Sequence, residues 1–170
     1  MKRFKTYWIA AIVASLFLLH CEESKAQRLA LSTNALEWLT VSPNVSVDLV
    51  FAQHHSFSVS ASASPWKLTP NLYLKHFTIS PEYKYWLTMP LYKSYIGGKV
   101  VYSSYDLGVK DFCRKGNLVG VLVDYGYSFI LSKRFNLVPT AGLGVGYNIG
   151  GNTKLVPMVS LGLNAQIVLK

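Results

Sequence analysis

The sequence predicts an all-β protein: one eight-stranded antiparallel up-and-down transmembrane β-barrel that follows a cleaved signal peptide. Three observations predict it. Bulky apolar residues alternate strictly with small or polar ones, the period-2 signature of a strand with one face in an apolar medium. The alternating segments approach ten residues, the length a tilted membrane strand needs. Short connections alternate with longer ones.

The elements follow in order. Lys2, Arg3 and Lys5 precede an apolar run from Tyr7 to Leu19, and Ser24-Lys25-Ala26 offers a small residue for cleavage. This is a secretory signal layout, so residues 1–26 are expected to be removed and 27–170 to form the barrel domain. The 13-residue run is too short for a membrane-spanning helix, which needs roughly 20. Lipidation at Cys21 is the rival, but His20 stands where a small residue is wanted. Cleavage after Ala26 leaves Cys113 alone, with no internal disulfide. Beside Arg114 and Lys115 it reads as a tolerated loop cysteine.

Eight strands are expected at about Leu29–Leu36, Asn44–Ala52, Phe57–Ser64, Lys75–Leu87, Tyr95–Leu107, Leu118–Leu131, Phe135–Tyr147 and Val156–Lys170. Phe57, Val59, Ala61 and Ala63 alternate with Ser58, Ser60, Ser62 and Ser64. Val159, Leu161, Leu163, Ala165, Ile167 and Leu169 alternate with Ser160, Gly162, Asn164 and Gln166; Val138 and Val168 break the pattern on the polar sides. No helical periodicity is evident after Arg28. Gln53–Ser56, Ser132–Arg134 and Met89–Ser94 read as short turns. Pro65–Leu74, Val109–Asn117 and Asn148–Leu155 read as longer, outward loops.

Composition fits lipid exposure. The chain of 170 residues is 51% hydrophobic and 15% charged, against about 25% charged in ordinary soluble domains. The net charge of +9 falls when Lys2, Arg3, Lys5, Lys25, Glu22 and Glu23 are removed, leaving 13 basic and 6 acidic residues. That balance suits anionic lipid and lipopolysaccharide, and no nucleic-acid partner is expected. Trp38, Phe51, Phe57, Trp66, Tyr73, Phe129 and Phe135 lie near strand ends and are expected to form aromatic girdles at the two interfaces.

Strand parity sends Asp48, Glu82, Lys84, Lys99 and Asp124 to the face opposite the apolar one. In a lumen only wide enough for side chains, these charges must pair, giving a structural polar network rather than an open pore. Gly142, Gly144 and Gly146 on that face are expected to admit bulky neighbours such as Trp86. His76, Ser80 and Glu82 are the residue types of an acyl-hydrolysis set, but His76 and Ser80 stand roughly 13 Å apart along a strand, too far for a hydrogen bond. His54 and His55 read as turn residues. The chain holds no Gly-x-Ser-x-Gly elbow, phosphate loop or paired Cys/His metal set, so no enzyme activity, cofactor or metal is expected.

Several fragments carry a resemblance: LSTNAL (Leu31 to Leu36), SPEYKYWL (Ser80 to Leu87), DYGY (Asp124 to Tyr127), LSKRFNL (Leu131 to Leu137) and GLGVGY (Gly142 to Tyr147). In this order they resemble a domain-of-unknown-function family of small exported barrels from Gram-negative bacteria. More distantly the layout is similar to the OmpA-like and OmpX-like eight-stranded barrels. The resemblance implies an outer-membrane location and brings no catalytic residues. The expected role is structural or surface interaction, as a monomer, with a surface protein or glycan as a possible ligand of the outward loops. A soluble periplasmic lipocalin-like carrier, its apolar face inward, is the alternative, and a lipid-modifying enzyme a third reading.

Overall fold

The computed structural model describes residues 28–64, 67–69, 72–109, 112–149 and 155–169, with backbone alone for 67–69, 72–74, 107–109 and 112–114. The expected signal segment, Cys21, Trp66, Lys110 and Lys154 lie outside these residues. So do the side chains of Tyr73, Cys113 and Arg114.

The chain forms β1 (Arg28–Asn34), α1 (Ala35–Leu39), β2 (Asn44–Ala52), β3 (His55–Ser64), β4 (Lys67–Thr69), β5 (Leu72–Trp86), β6 (Lys93–Val109), β7 (Phe112–Ser132), β8 (Phe135–Ile149) and β9 (Leu155–Val168). Neighbouring strands pair antiparallel. β1 also pairs with β9, and β3 with β5, so the sheet closes on itself. β3 ends its ladder at Ser64↔His76 and β4 resumes at Lys67↔Tyr73 on the same partner. β3 and β4 are therefore one interrupted barrel strand, and the protein is an all-β, closed eight-stranded antiparallel barrel.

Parity sets inside from outside. Leu143, Val159, Leu161 and Val123 project outward and are 64–70% exposed, while Asp48, Ser56, Ser58 and Asp124 on the other face are at most 2% exposed. Apolar side chains face out and polar ones in, the reverse of what a lipocalin-like carrier requires.

The start of β1 and the end of β9 share one rim with the turns at 53–54, 87–92 and 133–134. This is the terminal rim; α1, the end of β6 at Val109, the start of β7 at Phe112, the end of β8 at Ile149 and the start of β9 at Leu155 mark the distal rim. The expected long loops at Pro65–Leu74 and Val109–Asn117 are largely strand. The β6–β7 ladder continues through Ser104↔Asn117 to Val109↔Phe112. Lys, Arg and Gly there resemble a loop because a ladder that has left the apolar medium needs no apolar face. Its backbone hydrogen bonds suffice. The seam between first and last strands is much shorter, running only from Ala30↔Val168 to Asn34↔Asn164. Leu169 N–H donating to Leu29 O at 2.8 Å extends it by one bond.

The five-residue helix α1 was not expected, being too short to show a period. Asn34 caps it by accepting from Leu36 N–H at 3.1 Å. Its end is closed by Val41 N–H to Trp38 O (3.0 Å) and Ser42 N–H to Glu37 O (2.9 Å), a Schellman pair. That motif needs a left-handed residue, and Val41 supplies it at φ 55°. A β-branched residue is poorly suited to this region, at a cost of about 1–2 kcal/mol. Val41 is 47% exposed, so little packing is at stake. Val41→Gly is expected to stabilise the barrel by about 1 kcal/mol, read as a higher urea midpoint.

Candidate functional site

The lumen is the most elaborated part of the molecule, and neighbouring strands build it jointly. β5 carries Lys84, whose Nζ lies 2.6 Å from Asp48 Oδ1 on β2 and 3.8 Å from Glu82 Oε2. Asp48 Oδ2 accepts from Gln166 Nε2 of β9 at 3.1 Å and, weakly, from Ser32 of β1 at 3.5 Å. One buried carboxylate thus ties four strands. Lys99 on β6 pairs with Asp124 Oδ2 on β7 at 2.9 Å and donates to Ser160 Oγ at 3.4 Å. The five charges fall into two clusters, centred on Lys84 and on Lys99. Gln166, Ser32 and Ser160 are partners that sequence reasoning missed; parity had placed Gln166 and Ser160 on the polar face, but only closure of β9 against β1 brings Gln166 to Asp48.

Glycines make room for these carboxylates. A Cβ on Gly97 would overlap Glu82 Oε1, and one on Gly142 would overlap Asp124 Oδ1. This corrects the expectation for Gly142, Gly144 and Gly146, whose neighbours are Asp124, Leu122 and Met158 rather than Trp86. Trp86 packs instead against Tyr95, ring centroids 4.7 Å apart, and Tyr95 is the ring that lies over Gly126.

Trp86 and Tyr95 belong to an apolar plug with Ala30, Val50, Leu91 and Val138. The breaks in alternation at Val138 and Val168 find their reason here, since Val138 is in the plug and Val168 packs on it. Leu91 comes from the 87–92 turn, which folds inward at the terminal rim, and is 4% exposed. It holds φ 64°, with Lys93 at φ 58°. Its carbonyl accepts from Ser128 Oγ at 2.9 Å and Asn136 Nδ2 at 3.0 Å. Asn136 also donates to Gln166 Oε1 at 3.3 Å, linking the plug to the Asp48 cluster. Trp86 Nε1 is satisfied by Ser56 Oγ at 2.8 Å.

Beyond the plug lies a polar cavity of about 110 Å³, bounded among others by Ser46, Ser60, Thr78, Glu82, Thr140 and Asn164. It offers space on the order of a few water molecules. Glu82 Oε1 and Asp124 Oδ1 receive no hydrogen bond among the described residues.

The remaining sequence candidates are placed as follows. Phe51, Phe57 and Phe129 are exposed on the outer wall toward the terminal rim; Phe135 is half-buried. Tyr83 and Tyr85, not anticipated, join them around the β2–β3 turn, where His55 Nδ1 and Tyr83 OH share a hydrogen bond of 2.5 Å. Trp38 is exposed at the distal rim and donates from Nε1 to Thr33 Oγ1 at 2.7 Å. His54 Nδ1 donates to Trp86 O at 2.8 Å. Ser80 is buried, and its carbonyl accepts from Ser60 Oγ at 3.2 Å. Among the described residues no group of three or more His, Cys, Asp or Glu is arranged to hold a metal ion.

Comparison with known proteins fits this geometry. Among solved structures the chain is similar to Neisserial surface protein A (NspA), with a TM-score of 0.51 and 18% identity. The alignment covers 82% of this chain and 94% of that one; at such identity the likeness is one of fold. No curated protein sequence matches significantly. Residues 12–158 match the family described as protein of unknown function DUF3575, a span that takes in most of the barrel, the five charged lumen residues and the plug. The chain belongs to the DUF3575 family.

Proposed function

We propose that this chain is a lipid-embedded outer-membrane barrel of a Gram-negative cell, neither pore nor enzyme, that acts as a rigid mount for its distal rim. The observation that carries this reading is the combination of a sealed lumen with strands that outrun a membrane. Leu91 and Trp86 close the terminal end, and ion pairs fill the middle. β6 and β7 comprise 17 and 21 residues. At ~3.3 Å per residue the shorter strand is ~56 Å long. Tilted by about 45° it still rises ~40 Å, against an apolar band of ~25 Å. The surplus is a stalk beyond the distal rim, in which β6 pairs with β7 on one side and with β5 on the other, up to Leu72↔Val109.

The exposed apolar wall supports insertion in lipid, and the likeness to a Neisserial surface protein supports the outer membrane as its place. The stalk carries Arg114 and Lys115, and the sequence there is basic, so anionic lipopolysaccharide is the partner class best matched in charge. A surface glycan or protein would reach the same stalk.

Deleting residues 107–114 is expected to leave envelope fractionation and the heat-dependent gel shift unchanged, because the closed ladders lie below. The same deletion is expected to lower retention of the purified protein on immobilised lipopolysaccharide. Equal retention would remove the stalk from the reading. Wild-type protein that conducts ions steadily in a planar bilayer would remove the sealed lumen.

A further inference from the structure

The terminal rim divides into two unlike halves. Along β1, β9, β8, β7 and β6 it carries Arg28, Lys93 and the turn pair Lys133 and Arg134, all exposed. Along β2, β3 and β5 it carries Phe51, His54, His55, Tyr83 and Tyr85, packed ring against ring. Among the described residues no carboxylate lies at this rim. Asp48, Glu82 and Asp124 are buried in the lumen, and Glu37 and Asp106 belong to the distal half. No carboxylate among the described residues balances the cations there.

Three of the four sit close together. Arg134 O accepts from Val168 N–H at 2.8 Å, and Leu29 O from Leu169 N–H at 2.8 Å, so the end of β9 is held between Arg28 on one side and the Lys133–Arg134 turn on the other. The wall directly above is apolar: Phe129, Leu131, Ile167 and Leu169 are 47–60% exposed. Cations at the edge of a hydrocarbon-facing surface match a ligand that has an anionic head and an apolar body.

We propose that this arc is a binding site for an anionic phospholipid of the leaflet at the terminal rim, its phosphate held by Arg28, Lys133 and Arg134 and its acyl chains lying on Leu131 and Ile167. The guanidinium groups offer paired donors to phosphate oxygens. Juxtamembrane cations attract anionic lipid, each to a useful degree. A peptidoglycan or protein partner would use the charge but leave the apolar wall above it unexplained. The proposal rests on the lipid-embedded reading.

The test reconstitutes the folded mature chain into phosphatidylcholine vesicles doped with spin-labelled phosphatidylglycerol or spin-labelled phosphatidylcholine, and reads the motionally restricted fraction by electron paramagnetic resonance. Wild type is expected to restrict the phosphatidylglycerol probe in preference. The triple variant R28Q/K133Q/R134Q is expected to lower that preference by about fivefold or more, the amount one basic side chain at an anionic surface supplies. A distal control, K75Q, is expected to keep it. Equal restriction of the two probes, survival of the preference in the triple variant, or its loss in the distal control would each overturn the site. So would co-sedimentation of wild type with peptidoglycan sacculi in place of a lipid preference. Because the gel shift is measured on the same samples, a chain that never enters vesicles fails the embedding reading itself, whereas an inserted chain without preference fails only the lipid site.

Discussion

Replacing Lys84 by methionine is expected to destabilise the barrel by about 3–5 kcal/mol, the cost of stripping a buried ion pair of one partner. Asp48 is wholly buried and would keep only Gln166 and a long contact to Ser32, too little for a full charge. Glu82 would lose its cation at the same time. The effect is strand-to-strand, because β2 and β5 are not neighbours and meet here only through their side chains across the lumen. Removing both charges should restore most of the loss: in Asp48→Asn with Lys84→Met no ion is left uncompensated, and polar-to-apolar exchange of a whole pair is often neutral. Urea unfolding of the barrel folded in micelles measures both. A single variant within about 1 kcal/mol of wild type would show that the pair is solvated in a way its burial excludes.

Trp86→Ala is expected to cost a comparable amount, about 3–5 kcal/mol, for the loss of a large buried ring and the cavity left behind. Trp86 is 1% exposed, rests on Tyr95 and donates to Ser56, so its removal strips the plug of its largest member and Ser56 of its donor. This variant also has a functional readout. With the ring gone, the polar cavity above and the terminal rim below are separated by Leu91 and Val138, and ionic leak across planar bilayers should exceed that of wild type. Unchanged conductance with unchanged stability would mean that the seal is made elsewhere.

Most of the barrel was legible because its strands face two different media, and alternation records that directly. The runs Phe57 to Ser64 and Val159 to Leu169 specify register as well as strand, since a shift by one residue would turn every bulky side chain inward. The charged lumen residues were legible by the same parity. Legibility ended where the two-media rule ended. Past the distal rim both faces of β6 and β7 leave the apolar phase, so residues such as Arg114, Lys115 and Gly116 lost the alternation and read as loop. The Leu91 plug was hidden for a different reason. Its burial comes from the fold of a turn, and nothing in Leu-Tyr-Lys marks a residue whose carbonyl will be met by Ser128 and Asn136. Partners across the closure, such as Asp48 and Gln166, are separated by more than a hundred residues and meet only when the sheet becomes a cylinder.

The unequal ladders give the barrel an order in time. The hairpin of β6 and β7 joins strands that are adjacent in the chain, so its pairing closes a minimal loop and then zips residue by residue. The seam of β1 and β9 brings together the two ends of the domain, bears the largest loop-closure entropy, and offers in return only the span from Ala30 to Asn34. It is therefore the last join to be made during folding and the first to part when the native barrel breathes. Amide hydrogen exchange in lipid should trace that order, with Leu31 and Thr33 released on a faster clock than Val119 and Val121, and the wall of the cylinder opening sideways along one line while the rest of it stays shut.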